Sequence, residues 1–152
     1  MQERISTIAV NRKARFEYDI VETIEAGIVL VGTEVKSIRQ KRVSIQEAYA
    51  TVKRGEIFLI GSNIAPYEMG NRYNHEPDRD RKLLLHRQEI KRLTGKLKER
   101  GFTLVPLKMY LKNGKVKVLL GLGKGKTMYD KRKAIQKRDL DREIQRELKN
   151  RY

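Results

Sequence analysis

The residues of this chain that could carry out chemistry are two histidines and a glycine–lysine segment. His75 lies in the polar stretch NHEPD near Asp78 and Asp80, and a loop histidine beside carboxylates is more typical of a solvated surface group than of a catalyst. His86 is expected to open a helix, where the helix dipole disfavours an imidazolium, so we interpret it as a neutral ring at an interface. No Ser/His/Asp or Cys/His arrangement accompanies either histidine, so the residues alone assign no catalytic site.

The segment LGLGKGKT at 120–127 could suggest a phosphate-binding loop. A Walker A motif would require a glycine five residues before Gly125, but Leu120 stands there and Gly121 is one residue too close. No parallel sheet is predicted to accompany it. The glycines at 121, 123 and 125 are better interpreted as a break in the last strand, with a flexible exit into the C-terminal segment.

A strong positive charge indicates a polyanionic partner. The 152 residues carry a net charge of +16, of which residues 124–152 contribute +6 and residues 1–123 contribute +10. Aromatic side chains are interleaved with basic ones at 11–18, 72–82 and 124–132, in the last case around Tyr129. Charge for phosphates and rings for unpaired bases are typical of proteins that bind folded or single-stranded RNA.

Composition excludes several other classes of protein. The chain has no cysteine and only two well-separated histidines, so we expect no disulfide, no metal site and no cofactor. The N-terminus MQERIS lacks the apolar region of a signal peptide, and the apolar runs are far shorter than the ~20 residues of a membrane helix. We therefore expect a cytoplasmic, monomeric protein that does not bind membranes.

Hydrophobic patterning predicts a body of about six strands and two helices, without βαβ alternation. The predicted strands are 16–21, 28–31, 49–53, 56–60, 103–111 and 115–122, and 64–67 is expected to extend a strand at an edge or end because of Pro66. The predicted helices are 34–40, capped by Thr33, and 86–100. Turns are expected at 25–27, where Gly27 would take a positive φ, and in two hairpins, at 54–55 and at Asn113-Gly114. A β fold with minor α content follows. We favour a small closed antiparallel OB-like barrel, with an open α+β sheet as the alternative.

Two segments outside this body are expected to be loosely held. Residues 1–14 are polar and basic and are interpreted as an arm. We divide the remainder into a barrel domain, 1–123, and a basic tail, 124–152. The tail has only a narrow apolar stripe, Leu140, Ile144 and Leu148, so we predict that it lacks fixed structure in the free protein and becomes helical on a partner.

Five segments, in the right order and spanning nearly the whole chain, resemble the SmpB (SsrA-binding protein) family. They are ETIEAGIVLVGTEVKSIR at 22–39, NIAPY at 63–67, RKLLLH at 81–86, VPLKMY at 105–110 and GKGKTMYDKR at 123–132. The resemblance implies a six-stranded OB-like barrel that binds the tRNA-like domain of tmRNA and enters stalled ribosomes with it. It further implies ribosome rescue and peptide tagging in trans-translation, with the tail in the decoding centre and the empty mRNA path. Elongation factor Tu would be an indirect partner through alanyl-tmRNA.

The resemblance also implies site residues. Glu25, Leu84 and His86 match the family's tmRNA surface, and Asn11 to Ala14 match its NKRA-type arm. With neighbouring basic and aromatic residues, the expected tmRNA-binding set is Asn11, Arg12, Lys13, Tyr18, Glu25, Lys36, Arg39, Arg81, Lys82, Leu84 and His86. The expected ribosome-binding set is Lys124, Gly125, Lys126, Tyr129, Asp130, Lys131, Arg132, Ile144 and Leu148. Tyr129 would stack on a base of the decoding centre.

Three residues depart from the family pattern. Lys41 stands where a loop glycine is common, and Gly123 and Thr127 replace a usual Ala and Lys. Gly123 is expected to loosen the strand exit, and Thr127 removes one phosphate contact. Two other functions stay open on the residues alone: an RNA-modifying or RNA-cleaving enzyme that uses His75 or His86, and a structural ribosomal protein.

Overall fold

The computed structural model describes residues 4–126 and 128–151. Within these two ranges the strands are β1 Ile5–Val10, β2 Tyr18–Ile28, β3 Val43–Ser44, β4 Tyr49–Lys53, β5 Glu56–Ile60, β6 Asn63–Ile64, β7 Arg81–Leu84, β8 Phe102–Lys112 and β9 Lys115–Gly125. The α-helices are α1 Arg12–Glu17, α2 Gly32–Arg39, α3 Arg87–Lys98 and α4 Met128–Arg151, and a 3-10 helix covers Glu68–Tyr73. In this part of the chain, no helix is both long enough and apolar enough to cross a membrane.

Six antiparallel strands pair in a ring. Their order is β8, β4, β5, β7, β2, β9, and β9 pairs again with β8. Strand β1 adds to the second half of β8, and β3 pairs with β6 in a separate two-stranded sheet. The side chains that fill the core come from most of these strands and from α2 and α3. Those without exposed surface include Ile38, Ile57, Leu59, Ile64, Leu83, Leu93, Leu104, Met109, Val118 and Leu120. The expectation of a mostly β chain is confirmed, but the helical content is larger than predicted, because α1 and α4 add to the two helices expected in the body.

Both predicted hairpins are present, because their turns are determined by local sequence. Arg54 and Gly55 have φ angles of 53° and 76°, and the flanking residues Lys53 and Glu56 are paired. Asn113 and Gly114 have φ angles of 52° and 80° and connect β8 to β9. Two consecutive residues of positive φ are what a two-residue hairpin with the right twist requires.

The turn predicted at 25–27 is wrong, because β2 runs without interruption from Tyr18 to Ile28. Gly27 pairs with Leu84 of β7 on one side and with Lys117 of β9 on the other. A Cβ at Gly27 would lie 3.2 Å from the Cβ of Leu84, so this glycine allows close approach of two strands rather than a turn. Pairing on both edges overrides the local turn signal.

The N-terminal segment is part of the folded body, so the prediction of a loose arm is wrong for residues 5–14. Strand β1 pairs with β8, and Asn11 caps α1 by accepting a hydrogen bond from the Ala14 amide at 3.2 Å. The Asn11 side-chain amide also donates to the carbonyls of Pro106 and Ile45, at 2.9 Å and 3.2 Å. A short stretch of polar sequence is thus held by one buried asparagine.

The predicted break at Gly121 and the predicted loose exit at Gly123 are also wrong, since β9 continues to Gly125. A Cβ at Gly121 would lie 2.9 Å from Cδ1 of Leu107, and one at Gly123 would lie 2.9 Å from Cβ of Tyr18. These glycines make room for neighbouring side chains inside the sheet. The last strand therefore extends two residues beyond the boundary at 123 that we drew between body and tail.

A buried ion pair joins α2 to the first residue of β7. Glu34 and Arg81 have no exposed side-chain surface, and Arg81 Nε donates to Glu34 Oε2 at 2.6 Å. Arg79 Nη2 and the Val31 amide donate to Glu34 Oε1, at 2.6 Å and 2.9 Å. Burial raises the pKa of Glu34, but these hydrogen bonds outweigh it and hold the pKa below its ordinary value of 4.5. The stability that the carboxylate contributes is therefore present above pH 4.5 and is lost as the pH falls further.

We predict that Glu34→Gln lowers the free energy of unfolding by about 3–5 kcal/mol, because the substitution leaves Arg81 buried without its counter-charge. Urea unfolding at neutral pH measures the change. Glu99→Gln is the matched control, since Glu99 forms an exposed pair with Lys96 and its loss should cost no more than about 1 kcal/mol. A Glu34→Gln variant as stable as this control would contradict the structural role of the pair.

Candidate nucleic-acid interface

Three predicted site residues from different elements meet in one shallow depression of about 350 Å³. Glu25 comes from β2, Leu84 ends β7, and His86 occupies the N-cap position of α3. They come together because Gly27 pairs with Leu84, which places the end of β7 and the start of α3 beside the last residues of β2. The resemblance-based expectation that these three residues share a surface therefore agrees with the geometry.

The three side chains offer different kinds of contact. Leu84 is 51% exposed, which is unusual for a leucine at the end of a buried strand, and His86 is exposed beside it. The His86 amide donates to Glu89 Oε1 at 2.9 Å, which fixes the start of α3. An apolar platform next to an imidazole and a carboxylate suits an unpaired base, with the carboxylate accepting from amino or hydroxyl groups. Phosphate would be repelled by that carboxylate.

Glu25 is held in an ionised, oriented state by strand β8. The Tyr110 hydroxyl donates to Glu25 Oε2, and Lys112 Nζ lies 3.4 Å from Glu25 Oε1. The Tyr110 hydrogen bond, opposed by partial burial and supported by Lys112 and Lys117, lowers the pKa of Glu25. Sequence reasoning missed Tyr110 and Lys117. The signal that would have found them is the register of three strands, in which Lys117 pairs with both Gly27 and Tyr110.

Two residues expected to bind RNA are buried, and these predictions are wrong. Arg81 has no exposed surface and uses its guanidinium on Glu34, Ser62 and two loop carbonyls. Asn11 is 3% exposed and holds the start of α1. Asn11 was assigned by its match to the family's NKRA-type arm and Arg81 as a neighbouring basic residue, and neither assignment takes burial into account. Their contribution to any site is to position the elements around it.

The other basic residues of the expected set lie on the surface. Lys82 is half-exposed, with its Nζ 3.8 Å from Glu56. Lys36 and Arg39 project from the exposed side of α2, where Lys36 Nζ lies 5.3 Å from the centre of the Tyr67 ring.

The segment from Arg12 to Tyr18 forms a structured corner next to the root of the tail. Arg12 is exposed, whereas Lys13 pairs with Glu47 at 3.1 Å, which raises the pKa of Lys13. Tyr18 is half-buried against Ala14, Val105 and Leu107. Lys126, immediately after β9, donates through its amide to the Glu17 carbonyl at 2.9 Å and through Nζ to the Arg15 carbonyl at 3.1 Å.

The residues expected to contact the ribosome lie around this root and along α4. Lys124 is exposed, with its Nζ 4.8 Å from the centre of the Phe102 ring, and Gly125 is the last residue of β9. On α4, Arg132 is exposed, and Ile144 and Leu148 are 49% and 52% exposed. The structure does not describe the side chains of Tyr129, Asp130 and Lys131, and Thr127 lies outside the described residues. The predicted disorder of the free tail stays a prediction.

His75 is not the solvated loop histidine expected from sequence. Its Nδ1 lies 2.8 Å from the Thr33 hydroxyl and its Nε2 lies 2.9 Å from the Ile64 carbonyl, so the ring is half-buried. A carbonyl can only accept, so Nε2 carries the proton and Nδ1 accepts from Thr33 in the neutral ring. The Thr33 hydroxyl is thus hydrogen-bonded to His75. Helix α2 begins at Gly32 with Val31 at its N-cap position, so Thr33 does not cap the helix as predicted. In the part of the chain that the structure describes, no three acidic or histidine side chains cluster as metal ligands would.

Comparison with known proteins gives consistent matches. The family model described as SmpB protein matches residues 8–150. The SsrA-binding protein of Acetivibrio thermocellus is 58% identical over 151 residues, which cover 99% of this chain and 98% of that protein. The SsrA-binding protein of Bacillus subtilis is 56% identical over 143 residues, covering 94% and 92%. A chain from a solved structure described as tmRNA-SmpB travelling to the centre of the bacterial ribosome is 49% identical, with a TM-score of 0.67, and the match covers 84% of this chain and 93% of that one.

We predict that Tyr110→Phe raises the pKa of Glu25, because the hydroxyl removed is the largest influence that holds this pKa down. The ring that packs in the core stays in place. A carbon-detected NMR titration of the side-chain carboxyl measures the shift. Tyr49→Phe is the control, since Tyr49 is 46% exposed on β4 and should leave the Glu25 titration unchanged. An unchanged Glu25 pKa in Tyr110→Phe would show that the hydroxyl does not orient this carboxylate.

Proposed function

Because this chain belongs to the SmpB protein family, we propose that it binds the tRNA-like domain of tmRNA and enters stalled ribosomes with it, to allow ribosome rescue and peptide tagging. The observation that carries the proposal is the meeting of Glu25, Leu84 and His86 in one depression. The net charge of +16 supports it, since RNA is the polyanion that such a field attracts.

The depression suits recognition of unstacked bases. Leu84 supplies an apolar surface, His86 a ring, and Glu25 an acceptor that Tyr110 keeps oriented and ionised. Sequence-specific contacts to RNA go mostly to loops whose bases are splayed out, where the bases offer amino donors and the riboses offer hydroxyl donors. Lys82, in the adjoining cleft, and Lys36 and Arg39, on the exposed side of α2, would add phosphate contacts.

We further propose that the ring of six strands is an OB-like barrel, in which the RNA-binding surface lies at one end of β2 and β7. The pairing order supports this assignment, because β9 returns to β8 after six strands. Barrels of this type present oligonucleotide-binding surfaces on their strands and connecting loops. The protein would act as a cytoplasmic monomer, and elongation factor Tu would meet it only through alanyl-tmRNA.

The tail would act on the ribosome. Helix α4 has 24 residues and would span about 36 Å at ~1.5 Å per residue, enough to line a stretch of empty mRNA path. Its exposed Ile144 and Leu148 lie four residues apart and therefore share one side of the helix. Lys126 ties the root of the tail to α1, and Lys124 to Arg132 would contact the decoding centre.

An enzymatic role has little support in the geometry. Both ring nitrogens of His75 already have protein partners, and His86 stands beside a leucine and an oriented carboxylate without a nucleophile. We propose that the protein catalyses no reaction of its own. A structural ribosomal protein, the other candidate, would be found on idle ribosomes in stoichiometric amounts.

We predict that a chain cut after Lys133 keeps its thermal midpoint and its affinity for the tRNA-like domain but fails to support tagging. The body and its depression do not include the removed residues, whereas the removed helix carries the apolar pair. Tagged-peptide yield in a purified translation system with saturating tmRNA measures the effect.

Two full-length variants refine this experiment. Ile144→Asp with Leu148→Asp should reproduce the tagging defect, because it removes the apolar contact and leaves every basic residue of α4 in place. Ile144→Ala with Leu148→Ala should be milder, since alanine keeps helix propensity. Full tagging by the truncated chain would show that the tail does no ribosomal work.

A further inference from the structure

A second and larger cleft, of about 1060 Å³, lies between the β4–β5 turn and helix α3. One wall is Arg54, Gly55 and Glu56 at the turn, and the other is a single face of α3. The floor is apolar and includes Leu85 and Ile90. Neither the expected RNA-binding set nor the ribosome-binding set includes this cleft, apart from Lys82 and Leu84 at its edge.

Basic side chains dominate the cleft. Arg87, Lys91 and Lys98 line the α3 wall at positions i, i+4 and i+11, which places them along one side of the helix over about 16 Å. Arg54 and Lys82 face them, and Glu56 is the one acidic residue among the lining side chains. Within the described ranges, Arg54, Arg87, Lys91 and Lys98 form no salt bridge, whereas Glu56 is paired with Lys82. The charge of this cleft is therefore not neutralised by the protein around it.

Gly95 leaves one position of the α3 wall of the cleft without a side chain. It is the ninth of the twelve residues of α3 and is exposed, and a Cβ built on it would meet nothing within 4 Å. Glycine is a poor helix former in such a position. Neither internal packing nor a positive φ requires it at this point of the helix. The absence of a side chain keeps the centre of the basic wall open to close contact from outside.

The cleft is continuous with the depression that holds Glu25 and His86, because Leu84 and Leu85 line both. On the basis of the proposed function, we propose that the RNA whose bases occupy the depression continues over Leu84 into the cleft and places its phosphate backbone against Arg87, Lys91 and Lys98. The different charges of the two sites determine which part of the RNA each would bind. The depression contains carboxylates and suits bases, whereas the cleft carries an excess of cations and suits phosphates.

A variant that fills the cleft without weakening the helix gives the sharpest test. Gly95→Glu places a negative side chain at the centre of the basic wall, in open space and with a better helix former. Its thermal midpoint should not fall, while its affinity for a transcript of the tRNA-like domain of tmRNA should drop on the order of tenfold at ~0.15 M salt. Gln88→Glu is the matched control, because it changes the charge equally on an exposed position of α3 that does not line the cleft. Gly95→Ala should bind within about twofold of the original chain.

A salt titration identifies the contacts as phosphate contacts. Lys91→Gln with Lys98→Gln should weaken binding and reduce the slope of log K against log salt by about two. Lys41→Gln with Lys96→Gln removes the same charge outside the cleft and should leave the slope nearly unchanged. Full-length protein is used throughout, so that the tail contributes equally to RNA binding in every variant.

The outcomes separate this inference from the proposed function. If the original chain binds the transcript, Glu25→Ala and His86→Ala weaken binding, and both cleft variants bind like their controls, the cleft proposal is wrong and the proposed function stands. Failure of the original chain to bind the transcript would instead overturn the proposed function. Cleft variants that bind the transcript normally but bind ribosomes more weakly would also overturn the proposal, because the cleft would then serve ribosomal RNA.

Discussion

The buried pair of Glu34 and Arg81 is the interaction on which the rest of the structure depends. Removing two charges from water costs several kcal/mol for each ion, and a buried pair is favourable only when its other hydrogen-bonding groups are also satisfied. Arg81 meets that condition, because Nη1 donates to the Ser62 carbonyl and hydroxyl, and Nη2 donates to the carbonyls of Glu76 and Pro77. One guanidinium therefore fastens α2, the loop that follows β5 and the long segment before β7 to a single point.

Strand β7 connects the buried ion pair to the proposed RNA-binding surface. It begins at Arg81, pairs with β5 and β2 inside the ring, and ends at Leu84, two residues before His86, the N-cap of α3. The depression on one side of Leu84 and the basic cleft on the other are consequently positioned by the same four-residue strand. A base-binding centre with a neighbouring phosphate-binding wall is a common arrangement in proteins that recognise single-stranded or looped RNA. In this protein both parts follow from where β7 ends.

Local signals in the sequence predicted the elements that local forces determine. The Arg54-Gly55 and Asn113-Gly114 turns, the strands that flank them and the helix after His86 all follow from φ preferences and periodicity. The errors fall where pairing or packing from distant segments decides. Gly27, Gly121 and Gly123 were interpreted as breaks, but they lie inside strands because Leu84, Leu107 and Tyr18 need the space of a missing Cβ. Asn11 was assigned to RNA by family resemblance and Arg81 by its charge, and neither signal shows that these side chains are buried.

The most direct test of the proposed interface is an amide NMR map of the full-length chain, titrated with a transcript of the tRNA-like domain of tmRNA. If the depression is the centre of the interface, the largest shifts should occur at Gly27, at Leu84 to His86, and along the face of α3 that contains Lys91. The separate β3–β6 sheet and the 3-10 helix Glu68–Tyr73 should change little. Shifts concentrated on that 3-10 helix or on β1, with none around Leu84, would contradict the proposed interface.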